Sequence, residues 1–139
     1  MNRLIQKLLY GNNIPRVIDP QTHKTLDFLV TGYFFILAGA FWGTHRRASA
    51  TALINGIAVL GATMMTDYDG DGKRPISFPT HGKIDIAQAG MAAGFPVLMG
   101  FAGSPAALPF HLQAMNEAVV VSATDWEATG RTEESRSAA

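Results

Sequence analysis

Four long apolar runs separated by polar segments dominate this chain. The runs cover roughly residues 28–43, 48–66, 84–103 and 105–124. Each has about the 17 to 25 residues that a helix needs to cross a bilayer. A soluble four-helix bundle would need a polar face on every helix, and the first run, FLVTGYFFILAGAFWG, has none. The pattern predicts an all-α polytopic membrane protein with four transmembrane helices.

The two halves of the chain match each other when the sequence is shifted by 58 residues without a gap. The shift aligns Thr22-His23 with Thr80-His81, Asp27 with Asp85, Gly32 with Gly90, and Thr66-Asp67-Tyr68 with Thr124-Asp125-Trp126. Each half thus opens with T-H-x-x-[LI]-D and closes with T-D-aromatic.

This match predicts that the transmembrane domain, residues 22–126, consists of two tandem hairpin repeats. The repeat units are residues 22–68 and 80–126, and the polar loop 67–83 joins them. Each unit crosses the membrane twice, so both units have the same orientation and are related by an axis along the membrane normal. The polar ends of all four helices then lie on one face, together with both termini.

The segments outside the repeats are shorter and more polar. Residues 1–21 are predicted to form a short helix in the membrane interface, with apolar side chains on one face, followed by an extended linker that contains Pro15 and Pro20. Residues 127–139, EATGRTEESRSAA, are predicted to be a mobile C-terminal tail with nothing to bury.

The charge distribution predicts an orientation. Of the 11 Lys and Arg residues, all except Arg46 and Arg47 lie on the face of the termini and the central loop. The positive-inside rule therefore places that face in the cytoplasm, with the chain integral to the cell (inner) membrane. The predicted partners are the lipid bilayer and either a homo-oligomer or a larger membrane complex, because two GxxxG patterns permit close helix packing. No basic stripe suggests a nucleic-acid partner.

Charged residues recur at the ends of the helices on the terminal face. They are the pairs His23 and His81, Asp27 and Asp85, and Asp67 and Asp125. Asp27 and Asp85 suit the first turn of a helix, where a carboxylate faces free amides. Asp67 and Asp125 oppose the dipole at a helix C-terminus and need a partner. We expect an interfacial clamp in which His23 pairs with Asp67 and His81 pairs with Asp125. The same pairs exchanged between the units, or hydrogen bonds from helix-start amides to Asp67 and Asp125, are the other possible arrangements. A divalent metal held by this layer is the alternative.

The central loop contains a partial calcium motif. Asp67, Asp69 and Asp71 match the opening D-x-D-x-D-G of a calcium-binding loop. The twelfth position is Phe78, where a bidentate Glu is expected, and Pro75 interrupts the loop. A tight Asp-Gly turn is the favoured interpretation.

Polar residues inside the apolar runs are candidates for a transport path. They are Asn55, Gln88, Gln113, Asn116 and Glu117. An intramembrane carboxylate such as Glu117 is costly and suggests a proton or ion path. A protonated Glu117 that is hydrogen-bonded to Asn55 or Gln88 would serve helix packing equally well.

His111 in the fourth run is the candidate axial ligand for a haem or chlorin. The equivalent position of the first unit is Leu53, so the repeat supplies no second histidine. Hydrogen-bonded packing is the favoured interpretation, and no cofactor is predicted.

The two-helix repeat with L-I-N-G-I-A-V-L-G in its second helix, Leu53 to Gly61, resembles the SPW-repeat group of small bacterial membrane proteins. The likeness covers roughly residues 22–126. The Ser-Pro-Trp signature is absent, because the two units have Ala40-Phe41-Trp42 and Ser104-Pro105-Ala106. The resemblance implies the architecture and adds no site residue.

The sequence pattern favours a non-enzymatic integral membrane protein that is a structural or accessory subunit of a membrane assembly. It shows no nucleophile with its base and no phosphate-binding glycine loop. The alternative function is a small transporter or a proton- or ion-conducting oligomer that uses Glu117.

Overall fold

The computed structural model describes residues 3–11 and 13–138, which form a mostly helical chain. The α-helices are α1 (Arg3–Tyr10), α2 (Pro20–Phe41), α3 (Arg46–Met65), α4 (Phe78–Leu98), α5 (Leu108–Ala123) and α6 (Ala128–Ser137). Two short strands, β1 (Thr66–Asp67) and β2 (Ile76–Ser77), pair in parallel in the central loop. A 3-10 turn at Pro105–Ala107 leads into α5. The fold class agrees with the predicted all-α architecture.

Two of the described helices, α2 and α3, are long and apolar enough to cross a membrane. A buried helix of a soluble protein can meet the same criterion. Length and composition by themselves are therefore weak support for a membrane protein, and they determine no topology.

Both α2 and α4 begin earlier than the sequence predicts. The Asp19 carboxylate accepts hydrogen bonds from the amides of residues 21 and 22, and Pro20 is the first residue of α2. The Ser77 hydroxyl accepts from the amide of residue 80 and caps α4 in the same way. A capping side chain followed by proline starts a helix at once. Asp27 and Asp85 are therefore not in the first turn, and their interpretation as helix-start carboxylates is wrong.

The long helices form two hairpins, α2 with α3 and α4 with α5, and α3 also packs against α4. Aromatic rings fill the centre of the bundle, where Phe110 lies 6.1 Å from Phe34 and 5.4 Å from Phe101 between ring centroids. Small residues such as Ala52 and Ala92 bring the helix backbones close to these rings. Small residues at a helix interface leave room for the large side chains of the neighbouring helix, so the helices can pack closely.

A second apolar cluster lies at the end of the bundle where α2 and α4 begin. Its buried members are Leu9, Tyr68, Phe78, Val121 and Trp126. The predicted N-terminal helix is present as α1 and contacts α4 and α5. Leu9 on α1 is completely buried in this cluster. Part of the face that the sequence assigns to the membrane interface therefore packs against the protein.

The C-terminal segment differs from the predicted tail with nothing to bury, because residues 128–137 form α6. The Thr129 side chain is buried beside Gly70, which has a φ of 65°. A Cβ on Gly70 would lie 3.1 Å from Thr129. The central loop and the C-terminal helix are thus in direct contact.

Candidate functional site

Four buried side chains meet near the beginnings of α2 and α4. His23 and Asp27 lie one turn apart on α2, and His81 and Asp85 lie one turn apart on α4. Residues four positions apart share a helix face, so each helix presents one imidazole and one carboxylate in the same direction. None of the four residues is more than 6% exposed. We refer to these four side chains as the His/Asp ring.

Imidazole nitrogens alternate with carboxylate oxygens around the ring. Within one helix, His23 Nε2 lies 3.4 Å from Asp27 Oδ1, and His81 Nε2 lies 3.2 Å from Asp85 Oδ1. Between the helices, His23 Nε2 lies 3.0 Å from Asp85 Oδ2, and His81 Nε2 lies 3.0 Å from Asp27 Oδ2. The ring therefore joins the α2–α3 hairpin to the α4–α5 hairpin.

Two threonine hydroxyls orient the imidazoles. Thr66 Oγ1 lies 2.8 Å from His81 Nδ1, and Thr124 Oγ1 lies 2.9 Å from His23 Nδ1. Each hydroxyl also donates, at 2.7 Å, to the backbone carbonyl one turn earlier in its own helix. A hydroxyl has one proton, and the carbonyl takes it, so each Nδ1 must be the donor to its threonine. In both histidines Nδ1 carries a hydrogen, and Nε2 faces the carboxylates.

This orientation requires positive charge between each Nε2 and the carboxylates. An unprotonated Nε2 would direct its lone pair at carboxylate oxygens that are themselves acceptors only. Either each Nε2 binds a proton, which gives two imidazolium–carboxylate pairs, or one metal ion lies among all four groups. Both arrangements supply two positive charges for two carboxylates, as burial demands.

Aromatic side chains cover the ring on the side of the termini. Tyr68 donates its hydroxyl to Asp27 Oδ2 at 2.6 Å, and its ring centroid lies 5.5 Å from that of His81. The indole of Trp126 lies 4.9 Å from the His23 imidazole, measured between ring centroids. Burial and the negative charge of Asp27 raise the pKa of Tyr68 well above its ordinary value, so the phenol remains a donor.

The contacts around the ring occur in pairs whose members are 58 residues apart. The hydrogen bond between Thr124 and His23 corresponds to the one between Thr66 and His81, because Thr124 matches Thr66 and His23 matches His81 in the alignment of the two halves. The parallel bridge between Ile18 and Thr124 corresponds in the same way to the β1–β2 pairing of Ile76 with Thr66. The residues that match in the sequence thus include those that hold the ring together.

The predicted clamp of His23 with Asp67 is not formed, and that prediction is wrong. The imidazole is already bound by the ring and by Thr124. Asp67 instead accepts hydrogen bonds from the loop amides of residues 71 and 72, at 3.2 and 2.7 Å. Backbone amides of the following turn are the nearest donors to a carboxylate in this position.

The predicted clamp of His81 with Asp125 is wrong for the same reason, because His81 is bound by the ring and by Thr66. Asp125 pairs with Arg131 of α6 and accepts a hydrogen bond from the amide of Glu127 at 3.3 Å. The exchanged pairs, His23 with Asp125 and His81 with Asp67, are excluded by the same contacts.

The three aspartates of the partial calcium motif have separate partners. Asp69 accepts a hydrogen bond from Gln21 Nε2 at 2.7 Å, and Asp71 accepts from Lys73 Nζ at 2.6 Å. Asp67 binds loop amides, and both glycines of this segment have positive φ angles, as in a tight turn. Within the described part of the chain, the His/Asp ring is the one group of three or more His, Cys, Asp or Glu residues whose potential ligand atoms converge.

The predicted intramembrane polar residues form two separate groups, Asn55 with Gln88, and Gln113 with Asn116 and Glu117. Gln88 Nε2 donates to Asn55 Oδ1 at 2.7 Å and joins α4 to α3. Glu117 accepts a hydrogen bond from Gln113 Nε2 at 3.1 Å, one turn away on α5. The predicted bond of Glu117 to Asn55 or Gln88 is therefore not formed, because those two amides bind each other. Asn116 is exposed and contacts Gln113 at 3.5 Å.

His111 lies on the exposed surface of α5. Hydrogen-bonded packing, the favoured interpretation, and axial ligation, the alternative, both remain hypotheses.

The residues that sequence reasoning missed are the partners of the histidines. Thr66 and Thr124 open the T-D-aromatic motif, but the predicted clamp uses only the aspartates of that motif. The aromatic positions of the same motif, Tyr68 and Trp126, cover the ring. The matching threonine in both halves was the available signal.

Comparisons of the chain with protein-family models, with curated proteins and with solved structures found no match. The resemblance to SPW-repeat proteins therefore remains a prediction.

Proposed function

We propose that this chain is a non-enzymatic integral membrane protein, with four spanning helices in two tandem hairpin repeats, that serves as a structural or accessory subunit of a membrane assembly. The observation that carries the proposal is the distribution of polarity. The side chains of the His/Asp ring, Asn55, Gln88, Gln113 and Glu117 are buried, whereas large apolar side chains are exposed on all four long helices. Examples, one from each helix, are Ile36 at 73%, Ile57 at 58%, Leu98 at 77% and Val119 at 62% exposed.

The exposed apolar surface is hard to reconcile with a soluble monomer. Large contiguous apolar patches are rare on monomeric soluble proteins. A core helix of a soluble protein is mostly buried. In the most apolar 18-residue stretches of α2 and α3, by contrast, only 28% and 44% of the residues are buried. These helices are therefore apolar and also open to their surroundings. Lipid chains or partner helices would cover them.

The buried polar groups support a static role for the bundle. In a bilayer, ionisable side chains face the interior of a bundle and bind one another. The His/Asp ring does this between α2 and α4, and Thr66 and Thr124 attach the ends of α3 and α5 to it. All four spanning helices are thus held at one end by a single hydrogen-bonded network. The network suits a rigid subunit that presents its apolar surface to a partner or to lipid.

The proposed orientation places the termini and the central loop in the cytoplasm, with the chain integral to the cell (inner) membrane. Nine of the 11 basic residues lie on that side, and Arg46 and Arg47 lie on the other.

Single-cysteine labelling tests both the membrane location and the orientation, because the chain has no cysteine. Lys73→Cys marks the central loop, and Thr44→Cys and Ala102→Cys mark the two turns at the other end; all three positions are exposed. On intact spheroplasts, a membrane-impermeant maleimide should label residues 44 and 102 at once, and residue 73 only after permeabilisation.

Two results would contradict the proposal. Recovery of the chain in the soluble fraction without detergent would refute the membrane location. Labelling of residue 44 and residue 102 from opposite sides would refute the four-helix arrangement, because both turns would then not lie on one face. A native pull-down in mild detergent tests the accessory role, which requires stable co-purification with another membrane protein or with further copies of the chain.

A proton or ion path through Glu117 is the second candidate function. Glu117 is 7% exposed and lies close enough to Asp27 and Asp85 for their charges to act on it. A buried carboxylate beside the ring would provide a polar site between the terminal face and the bundle interior. Proton or ion flux in liposomes that Glu117→Gln abolishes and Glu127→Gln leaves intact would favour this function over the static one.

A further inference from the structure

The His/Asp ring has the donor set of a four-coordinate metal centre. Two imidazole nitrogens and two carboxylate oxygens, all from buried side chains, lie within 4.8 Å of one another. We propose that the ring of His23, Asp27, His81 and Asp85 binds one divalent transition-metal ion of the Zn²⁺ type, which joins the two helical hairpins. This site does not depend on the chain's being a membrane protein.

The spacing of the donors supports four-coordination. Zn²⁺ binds imidazole nitrogen at about 2.0–2.1 Å and carboxylate oxygen at about 2.0–2.2 Å. For a tetrahedron of that size, neighbouring ligand atoms are about 3.3–3.6 Å apart. The four nitrogen–oxygen contacts around the ring are 3.0, 3.0, 3.2 and 3.4 Å. These contacts use both oxygens of each carboxylate. One donor atom per residue can be chosen so that all four lie within 4.8 Å of one another. The widest pair therefore has to close by up to roughly 1 Å to reach the tetrahedral spacing.

The threonines set the correct form of each imidazole for binding a metal. Metal-ligating histidines usually donate the other ring N–H to a fixed acceptor, which orients the ring and selects the tautomer. Thr66 and Thr124 accept from Nδ1 of His81 and His23, so Nε2 is the atom available as ligand on both rings.

The charge balance indicates a divalent ion. Two neutral imidazoles and two carboxylates carry a charge of −2, which a divalent cation neutralises in a site where uncompensated charge is costly. Mixed imidazole and carboxylate donors suit zinc, iron and cobalt better than calcium or magnesium, which prefer oxygen ligands. Tyr68 donates its hydroxyl to the Asp27 carboxylate and so fixes its orientation, as hydrogen-bond donors to metal-ligating carboxylates do.

The full chain, purified in detergent and treated with a chelator, tests the proposal with Zn²⁺ and Co²⁺ as probes. The wild type should bind one Zn²⁺ per chain by calorimetry and elemental analysis. Co²⁺ should give the visible absorption of a tetrahedral N/O site. The paired Asp27→Asn and Asp85→Asn variant should lose both signals, while Asp125→Asn and the pair His45→Gln and His111→Gln should keep them.

A second set of variants tests the ring without removing a ligand. Thr66→Val with Thr124→Val should weaken Zn²⁺ binding about 10- to 100-fold, and Thr66→Ser with Thr124→Ser should restore it, because serine keeps the hydroxyl. Circular dichroism of each variant shows whether its helices have formed. If the aspartate variant does not fold, the threonine and serine pairs decide the question.

Three results would overturn the proposal. The first is a wild-type chain that retains no zinc and gives no cobalt absorption, because the ring is then a pair of imidazolium–carboxylate bonds. The second is zinc binding that is equally strong in the aspartate variant, because the ion is then bound elsewhere. The third is an affinity that the threonine pair leaves unchanged, because the assigned ligand atoms are then incorrect.

Discussion

Tyr68 in the central loop donates a 2.6 Å hydrogen bond to Oδ2 of Asp27 on α2. The position equivalent to Tyr68 in the second half is Trp126, whose indole nitrogen donates to the backbone carbonyl of Val121 instead. Asp27 therefore has a phenol donor that Asp85 does not have. The two halves supply the same imidazoles, carboxylates and threonines, but the ring is asymmetric at its aromatic cover.

We expect Tyr68→Phe to destabilise the fold, because it leaves a buried carboxylate without one of its donors. A hydrogen bond to a charged group contributes about 1.5–3 kcal/mol to stability. The matched control is Tyr33→Phe, which removes a hydroxyl that donates to the neutral carbonyl of Pro109 at 2.8 Å and should cost about 0.5–1.5 kcal/mol. Thermal unfolding in detergent, followed by circular dichroism, measures both. An equal cost in the two variants would count against an ionised Asp27.

The raised pKa of Tyr68 predicts a loss of stability in alkaline solution. The folded-state pKa lies above the unfolded value of about 10, so the folded state holds the proton more tightly than the unfolded state. The contribution of this phenol is complete below about pH 10 and is lost as pH rises from there toward the folded-state pKa. Unfolding curves at pH 8 to 11 should show a steeper decline for the wild type than for Tyr68→Phe. Parallel declines would contradict the prediction.

Removing one carboxylate from the His/Asp ring should be far more damaging than removing an exposed one. Asp85→Ala leaves charge in the ring unbalanced, and breaking a buried ion pair on one side costs about 3–5 kcal/mol. Asp125→Ala removes a partner of Arg131 at the surface, where such a pair contributes about 1 kcal/mol or less. Unfolding midpoints in detergent compare the two. Similar midpoints would show that the ring carries little of the stability.

The sequence predicted which residues matter better than it predicted how they pair. Helical periodicity and run length indicated the long helices, and the 58-residue match identified His23, His81, Asp27 and Asp85 as a set. The predicted pairing is wrong because α2 and α4 begin earlier than the apolar runs indicate. When Asp19 begins α2, Asp27 lies on the second turn and faces the bundle.

Two features of the site cannot be predicted from the residue type at single positions of the sequence. The ring depends on which helices are neighbours, and contacts such as His23 with Asp85 join residues 62 positions apart. The role of Thr66 depends on its proton being used by the carbonyl of Ala62, which only the helix geometry fixes. A threonine at the end of an apolar helix has many other uses, so its presence in both halves indicated symmetry without indicating a partner.

The bond between Asn55 and Gln88 should show strong coupling in a double-mutant cycle. Gln88→Leu leaves Asn55 Oδ1 without its 2.7 Å donor, and Asn55→Leu leaves Gln88 without its acceptor. Interhelical hydrogen bonds in membrane proteins average about 0.6 kcal/mol and reach about 1.7 kcal/mol. Each single variant should be destabilised by about that amount, and the double variant should cost less than the sum. Additive costs would mean that the two amides do not act as a pair.

Gly82 on α4 allows the cover of the His/Asp ring to lie close to the helix. A Cβ at this position would be 3.0 Å from both the Trp126 indole and the Leu9 side chain, and both of these side chains are completely buried. Neither side chain can move outward without opening the cluster that covers His23. Overpacking of this kind costs about 1–3 kcal/mol, which exceeds the gain of about 1 kcal/mol in helix propensity from glycine to alanine.

The matched control for Gly82→Ala is Gly90→Ala, two turns further along the same helix, where a Cβ would meet nothing within 4 Å. Gly90→Ala should therefore leave stability unchanged or raise it by up to about 1 kcal/mol. Gly82→Ala should lower the unfolding midpoint and shift the tryptophan fluorescence, because the indole of Trp126 must move from its buried position. If Gly82→Ala behaved like Gly90→Ala in both measurements, the close packing of Leu9 and Trp126 against α4 would be wrong.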